Sequence, residues 1–340
     1  MKDITAAKIS ELSGVSPIVV SMILRNKRNT SVRFSEKTRK KVLEFAAEHG
    51  FRPHRAARSL RGKSHNSIGI LLRDQGMIPH MGIRWMLERA SAKGLLITLE
   101  YFPDKHKDLP VLIREKCVDG LIMFEDFGDG IRREIEHYRI PSIWVNTDYV
   151  EGKNCIVFDD RDAMSQAVAA LSRIGVGRIT VIRRKSPSFF TRERDEGVME
   201  AAERYGIKEL SIVDSISGGQ ASLVQRRKNS RIIKGLLLRR EAPTGFILDN
   251  SLDASVLVDV ATSERLKIPG DLHVVSIADH TVRSHYPFIS ALLVETRLLS
   301  NLIVDNLCRL IGNERMDGPL KVKYAMEGPL SFKVSSRADA

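Results

Sequence analysis

Residues 5–24 read TAAKISELSGVSPIVVSMIL. Thr5 precedes a helical stretch, 6–13, in which Ile9 and Leu12 are spaced to share a face, and its hydroxyl is placed to accept from a first-turn N–H that has no partner inside the helix. Gly14-Val15-Ser16 then forms a tight turn. Ser16 stands as the cap of a second helix, 17–25, and Pro17 takes its first position, where a missing N–H costs nothing. Val20, Ile23 and Leu24 turn inward from it. Ser35-Glu36-Lys37-Thr38 opens a third helix that runs to about His49, with Val42, Phe45 and Ala46 as its apolar stripe. A helix, a glycine turn and a second helix make a helix-turn-helix, the unit that lays its second helix in the major groove of DNA. A small solvated helical cap is the other reading, and it leaves the charge of this segment without a purpose.

That charge is uneven along the chain. The 340 residues carry a net +12, yet residues 1–63 hold 15 basic and 5 acidic side chains, so the rest of the chain is nearly neutral. A basic head on a neutral body points to a polyanionic partner for the head alone. The length exceeds what one hydrophobic core supports, and a 43% hydrophobic share with 28% charged residues is that of a globular chain, which excludes a disordered or fibrous protein. Cys117, Cys155 and Cys308 are odd in number and far apart, so a disulfide framework and a CxxC motif are both absent. The start, Met1-Lys2-Asp3-Ile4, lacks the apolar stretch of a signal peptide, and no 18 apolar residues run together. A reducing cytoplasm and no membrane partner are therefore expected.

Beyond residue 66 short strands rich in Ile and Val, at 67–72, 95–99, 120–124, 142–145, 156–158, 179–182, 210–213, 245–248 and 274–277, alternate with helical stretches such as 82–93, 161–174, 193–205 and 252–266. Continuous apolar strands separated by helices predict parallel sheets covered on both faces. So many strands suggest two doubly wound lobes, with a ligand at the carboxyl ends of the strands.

On Ile4-Thr5, Gly14-Val15-Ser16, Val20-Ser21, Ser35 with Thr38-Arg39 and Val42, Phe51-Arg52-Pro53 and Ala57-Arg58-Ser59-Leu60, the chain resembles the bacterial lactose/galactose repressor family over nearly its whole length. The resemblance implies a small all-α helix-turn-helix head and an α/β body of two doubly wound, periplasmic-binding-protein-like lobes. It implies a DNA-binding domain at 1–50, a hinge at 51–65 and an effector-binding and dimerisation domain at 66–336. Lobe one would hold about 66–160 and 295–323, and lobe two about 161–294 and 324–336. The hinge becomes helical on operator DNA in that family, with Leu60 wedged into a minor-groove base step; a pair of such wedges unstacks one step and bends the duplex. The DNA-facing residues are then Thr5, Ser16, Pro17, Ile18, Ser21, Met22, Arg25, Asn26, Thr38, His54, Arg55, Ala57, Arg58 and Leu60. One departure stands out: the base-reading positions of the second helix are Pro17, Ile18 and Met22, which cannot make bidentate hydrogen bonds and can touch only thymine methyls.

In the body the resemblance rests on Asp119-Gly120-Leu121-Ile122, Ile140-Pro141, Arg194-Asp195-Glu196-Gly197, Ile268-Pro269-Gly270-Asp271 and Pro287. It places Asn146, Arg194, Asn250 and Asp279 in an effector pocket, Arg194 gripping ligand hydroxyls or a carboxylate in a planar fork. Asn250-Ser251 and Ala278-Asp279 stand where the family has Asn-Asp and Asp-Asp, so an acceptor for sugar hydroxyls is lost and an anionic sugar derivative or carboxylate is expected. The plainer reading of Arg194 is an ion pair with Asp195 or Glu196.

No catalytic site, metal site or cofactor is expected. Gly62-Lys63-Ser64 is unlike a P-loop in having Ala57 at the first glycine position and no strand before it, and Ser217-Gly218-Gly219-Gln220 reads as a loop. GxSxG and HExxH are absent, and His280 with His285 reads as a surface pair, as Arg183-Arg184-Lys185 and Arg226-Arg227-Lys228 read as solvated faces. The sequence therefore predicts a homodimeric transcriptional regulator, most simply a repressor, that binds double-stranded operator DNA under the control of a small-molecule effector. A solute-binding module without DNA function and a sugar or nucleotide enzyme are the alternatives. The basic head speaks against the first, the missing catalytic constellation against the second.

Overall fold

The computed structural model describes residues 4–24, 33–51, 64–72, 80–103, 108–148, 154–216, 223–238, 244–277, 280–316 and 318–330. They fall into two compact units, Met1–His65 and Asn66–Ala340.

In the first unit, α1 (Ala6–Ser13), α2 (Pro17–Leu24) and α3 (Glu36–Glu48) begin where local chemistry starts them. Thr5 Oγ1 accepts from Lys8 N–H at 3.2 Å, and Ser35 Oγ accepts from Thr38 N–H at 3.1 Å. Gly14 ends α1 at φ 64°; open space surrounds it, so glycine is needed there for its conformation. Ile9, Val20, Ile23 and Val42 form the core, with Ile4, Val15, Val19, Leu24, Phe34 and Phe51 packed around them. Leu12, expected beside Ile9, is 40% exposed; α1 instead buries Ile9, Ser10 and Ser13, and the Ser10 hydroxyl donates to Val15 O at 2.6 Å. Small side chains on the inner face let α1 carry a hydrogen bond that pins the turn.

The second unit contains two six-stranded sheets. In chain order its elements are β1 (Ser67–Leu72), α4 (His80–Ala92), β2 (Leu96–Tyr101), α5 (Val111–Arg114), β3 (Gly120–Met123), α6 (Asp129–His137), β4 (Ser142–Val145), β5 (Cys155–Phe158), α7 (Asp160–Arg173), β6 (Arg178–Arg184), α8 (Phe189–Arg204), β7 (Glu209–Ser215), α9 (Leu223–Leu238), β8 (Thr244–Leu248), α10 (Ser251–Ser263), β9 (Leu272–Ile277), α11 (His280–His285), β10 (Ser290–Leu293), α12 (Thr296–Ile311), β11 (Leu320–Val322) and β12 (Ala325–Glu327). The first sheet has the order β11-β5-β4-β3-β1-β2 and is parallel throughout. The second has the order β12-β10-β9-β8-β6-β7 and is parallel except where β12 runs against β10. β1, β3, β4, β8 and β10 are buried along almost their whole length because helices cover both faces. Two apolar clusters serve each sheet, one per face.

The chain passes between the sheets after β5, after β10 and after β11. Strand order reverses at β1, between β2 and β3, and at β6, between β7 and β8. Connections leaving a reversal diverge to opposite faces and open a crevice at the carboxyl ends of the strands. Sequence patterning did not reveal α6, α9, β10, β11 or β12. Those strands have three or four residues, and Lys321 and Glu327 sit in the outermost ones, whose form comes from pairing and not from an apolar run.

Candidate functional site

The helix-turn-helix presents its second helix to solvent on one side. Ser16, Pro17 and Ile18 are exposed, Ser21 and Met22 are half-buried, and Ile18 is 64% exposed although Val20 and Ile23 on the same helix are buried. Thr5 is exposed and caps α1; Thr38 is half-buried, its hydroxyl 2.9 Å from Ser35 Oγ at the start of α3. The N–H groups at that helix start, with Lys37, Lys40 and Lys41 exposed along α3, suit phosphate oxygens. Arg25, Asn26, His54, Arg55, Ala57, Arg58 and Leu60 lie outside the described residues.

A second polar assembly lies at the carboxyl ends of the strands in the body. Asp249 and Asn250 follow β8; Arg194 projects from α8; Asp160 opens α7; Tyr324 lies between β11 and β12. Arg194 Nε donates to Asp160 Oδ1 at 2.7 Å, and Tyr324 Oη donates to the same oxygen at 3.0 Å. Asp160 is 1% exposed. The guanidinium also donates to Asp249 O at 3.4 Å and to Tyr324 Oη at 3.5 Å, and stands 5.2 Å above the Phe190 ring. Burial pushes Asp160 above the ordinary carboxylate range against the pull of Arg194. Burial draws the Arg194 value down, but Asp160 outweighs it and the value ends above that of a free arginine. Burial, then the carboxylate of Asp160, pushes the Tyr324 phenol well up, so Tyr324 remains an O–H donor.

The chain of contacts continues on both sides. Asn250 caps α10 through Asp253 N–H at 2.9 Å while its amide donates to Asp249 Oδ1 and to Asp253 Oδ2, the latter at 2.7 Å. Asn229 reaches Asp253 Oδ1 at 2.9 Å. Toward the first sheet, Phe158 meets the Tyr324 ring edge-on at 5.8 Å, and the Asn146 side-chain oxygen accepts from Phe158 N–H at 3.3 Å. Asn146 itself is held at φ 50°. Across the crevice, the Asp148 carboxylate accepts from Phe189 N–H, the first residue of α8, whose own Ser188 makes no side-chain cap.

Arg194 and Asn250 thus lie along one polar system, Asn146 adjoins it only through Phe158, whose ring meets Tyr324, and Asp279 is outside the described residues. Arg194 has its counter-ion in Asp160, not in Asp195 or Glu196, which face Arg183 and Arg161. A guanidinium expected to await an anionic ligand is already matched. Of the two basic clusters, Arg184, Lys185, Arg227 and Lys228 are exposed as expected, whereas Arg183 is largely withdrawn from solvent and pairs with Asp195 and Asp214. Asp160, Asp249, Asp253 and Tyr324 escaped sequence reasoning. The position of Asp249 directly after a buried strand was the one available signal. Among the described residues no group of three or more His, Cys, Asp or Glu side chains could hold a metal ion, and no single helix is long and apolar enough to cross a membrane.

Residues 168–325 match the model of a periplasmic binding protein-like domain. The sucrose operon repressor of Streptococcus mutans serotype c is 25% identical over 312 residues, covering 90% of this chain and 92% of that protein. The lactose operon repressor of Escherichia coli K12 is 24% identical over 330 residues, covering 94% and 88%. A crystal structure of the Lac repressor bound to ONPG in the repressed state superposes with a TM-score of 0.77 over 97% of this chain and all of that one, at 22% identity, and shares its fold. With its helical head and two-sheet body, the chain is thus similar from end to end to transcription repressors of this kind.

Proposed function

We propose that the chain is a sequence-specific DNA-binding transcription regulator that acts as a homodimer on double-stranded operator DNA and answers to a small molecule bound in the body crevice. The observation that carries this reading is a helix-turn-helix with an exposed, base-sized apolar residue, Ile18, on a segment that holds 15 basic and 5 acidic side chains. A DNA-free solute-binding module would have no use for that surface, and the relatives are transcription regulators, not enzymes. One related Lac repressor dimer is described as bound to operator and an anti-inducer, and a further relative of the fold is described as a cellobiose complex. By the same division of labour, 1–50 would bind DNA, 51–65 would be the hinge and 66–336 would bind effector and dimerise, in the cytoplasm.

On DNA, Ile18 and Met22 touch thymine methyls, Ser16, Ser21, Asn26 and Thr38 hold phosphates, and Leu60 wedges the central step; Arg25 is the remaining base-reading side chain. Two heads are needed because one makes a small interface. Operator selection followed by fluorescence anisotropy tests this. Affinity is expected to fall by orders of magnitude between 50 and 300 mM salt, and Leu60→Ala to abolish bending in circular-permutation gel shifts while the body stays folded. Salt-independent binding, or binding as a monomer in ultracentrifugation, contradicts the reading. Replacing outer thymines with uracil should weaken binding. Strict G·C pairs at those positions would assign the reading to Arg25 instead.

A further inference from the structure

The chain passes from one sheet to the other after Phe158, after Leu293 and after Val322, and a change in the angle between the sheets has to be absorbed by backbone rotation in these short passages. The first and third lie side by side. Asp159 N–H donates to Val322 O at 2.8 Å, and Lys321 Nζ meets Asp159 Oδ1 at 2.9 Å. Next along the chain, the Tyr324 hydroxyl of the third passage donates to Asp160 Oδ1 of the first at 3.0 Å, and its ring meets that of Phe158, the last residue of β5, edge-on. Arg194 Nε on α8 donates to the same Asp160 oxygen at 2.7 Å. Asp160 is 1% and Tyr324 7% exposed, so water replaces neither partner. The second passage packs through Val294 on the apolar cluster that contains Tyr324. Bending at the first or third passage therefore draws Tyr324 from Asp160, or Asp160 from Arg194, and strips an interior charge of a partner.

We propose that Arg194, Asp160 and Tyr324 form the clasp of the hinge in the body: they fasten the first and third passages to each other and to α8, and so hold the two sheets at one angle. Asp160 and Tyr324 act as positioning residues, and their burial is what makes the clasp firm. Arg194 is the member on the crevice side, so a movement of its guanidinium reaches both passages at once. The consequence for DNA rests on the proposed regulator function, since a regulator whose body changes shape changes its affinity for operator.

The test is hydrogen–deuterium exchange, read by mass spectrometry on the full-length protein, with operator affinity measured by anisotropy alongside. Tyr324→Phe removes the hydroxyl and keeps the ring on Phe158. It is expected to speed exchange in segments 156–162 and 320–326 by about tenfold, the worth of one buried hydrogen bond, while β3 and β8, inside the two sheets, exchange as in wild type. Arg194→Lys keeps a positive charge near Asp160 but loses the fork that reaches Tyr324 Oη and Asp249 O, and should do the same. Both variants should shift operator affinity by at least about fivefold. Ile233→Val is the control: it trims the buried core of the second sheet at a comparable cost in stability, and should leave the passages and operator affinity as in wild type. Passages that exchange at the wild-type rate in both variants, acceleration spread evenly over β3 and β8, the same pattern in Ile233→Val, or unchanged operator affinity overturns the proposal. A wild type that binds no operator sinks the regulator reading alone, and the exchange rates then still decide whether the clasp holds the hinge.

Discussion

Two arginine–aspartate pairs in the body teach opposite lessons. In the first, Arg89 on α4 donates from Nε and Nη2 to the two oxygens of Asp305 on α12 at 2.8 and 2.7 Å, and Lys93 adds a third contact at 2.9 Å. The geometry is bidentate and better than anything Arg194 makes. Yet Asp305 is one-third exposed, so water competes for every partner and the cluster contributes little beyond aligning two helices. In the second, Arg194 offers Asp160 a single hydrogen bond, but both groups are withdrawn from water; the Tyr324 hydroxyl they share is neutral, and the next carboxylate, that of Asp249, stands 4.0 Å from Arg194. Good geometry at the surface is cheap to lose, whereas a plain contact in the interior is not.

The largest effect that separates the two is truncation of the buried cation. Arg194→Ala leaves Asp160 charged and buried, and is expected to lower stability in urea by about 3–5 kcal/mol; a loss under about 1 kcal/mol would mean that water reaches Asp160 and the two pairs are alike. Next comes the double variant Arg194→Ala with Asp160→Ala. Removing both charges should recover a large part of the loss, with a coupling of about 1–3 kcal/mol in the cycle. Additive losses would show that Arg194 acts through its packing on Phe190.

A third experiment uses pH. Burial raises Asp305, but hydrogen bonds from Arg89 and Lys93 and their charges outweigh it and hold Asp305 below the ordinary carboxylate range. Its contribution is therefore present above the unfolded value, about 3.9, and is lost as pH falls through the lower folded value. Asp160 is raised, so it takes up a proton more readily folded than unfolded, and wild type should gain stability relative to Asp160→Asn as pH falls from neutral toward the unfolded value. Melting curves of wild type, Asp160→Asn and Asp305→Asn, taken from neutral pH to below the unfolded carboxylate value, should show opposite signs for the two positions. Equal signs break the comparison. The smallest effect is Asp305→Ala at neutral pH and moderate salt, where a shift near the limit of detection is expected; a large one would show that the helix pair depends on its ions.

Much of the fold was legible because its signals are local. Thr5, Gly14, Pro17 and Ser35 act within three or four residues, and helix starts need nothing further away. The buried strands β1, β4 and β8 announce themselves as apolar runs because both faces are covered. Ile18 was singled out by the family resemblance, which places it at a base-reading position of the second helix.

Sequence by itself thus determined the helix-turn-helix, the alternation that yields two parallel sheets, and the segregation of positive charge in the head. Tertiary structure alone decided which carboxylate answers Arg194. Asp195 and Glu196 were its neighbours in sequence, but consecutive helical residues point about 100° apart, and these two turn toward Arg183 and Arg161. Asp160 lies 34 positions before Arg194, and Tyr324 lies 164 positions after Asp160. They meet only because successive crossovers of the chain bring the end of β5 and the segment after β11 together beside α8, and no periodicity within a single segment encodes that encounter.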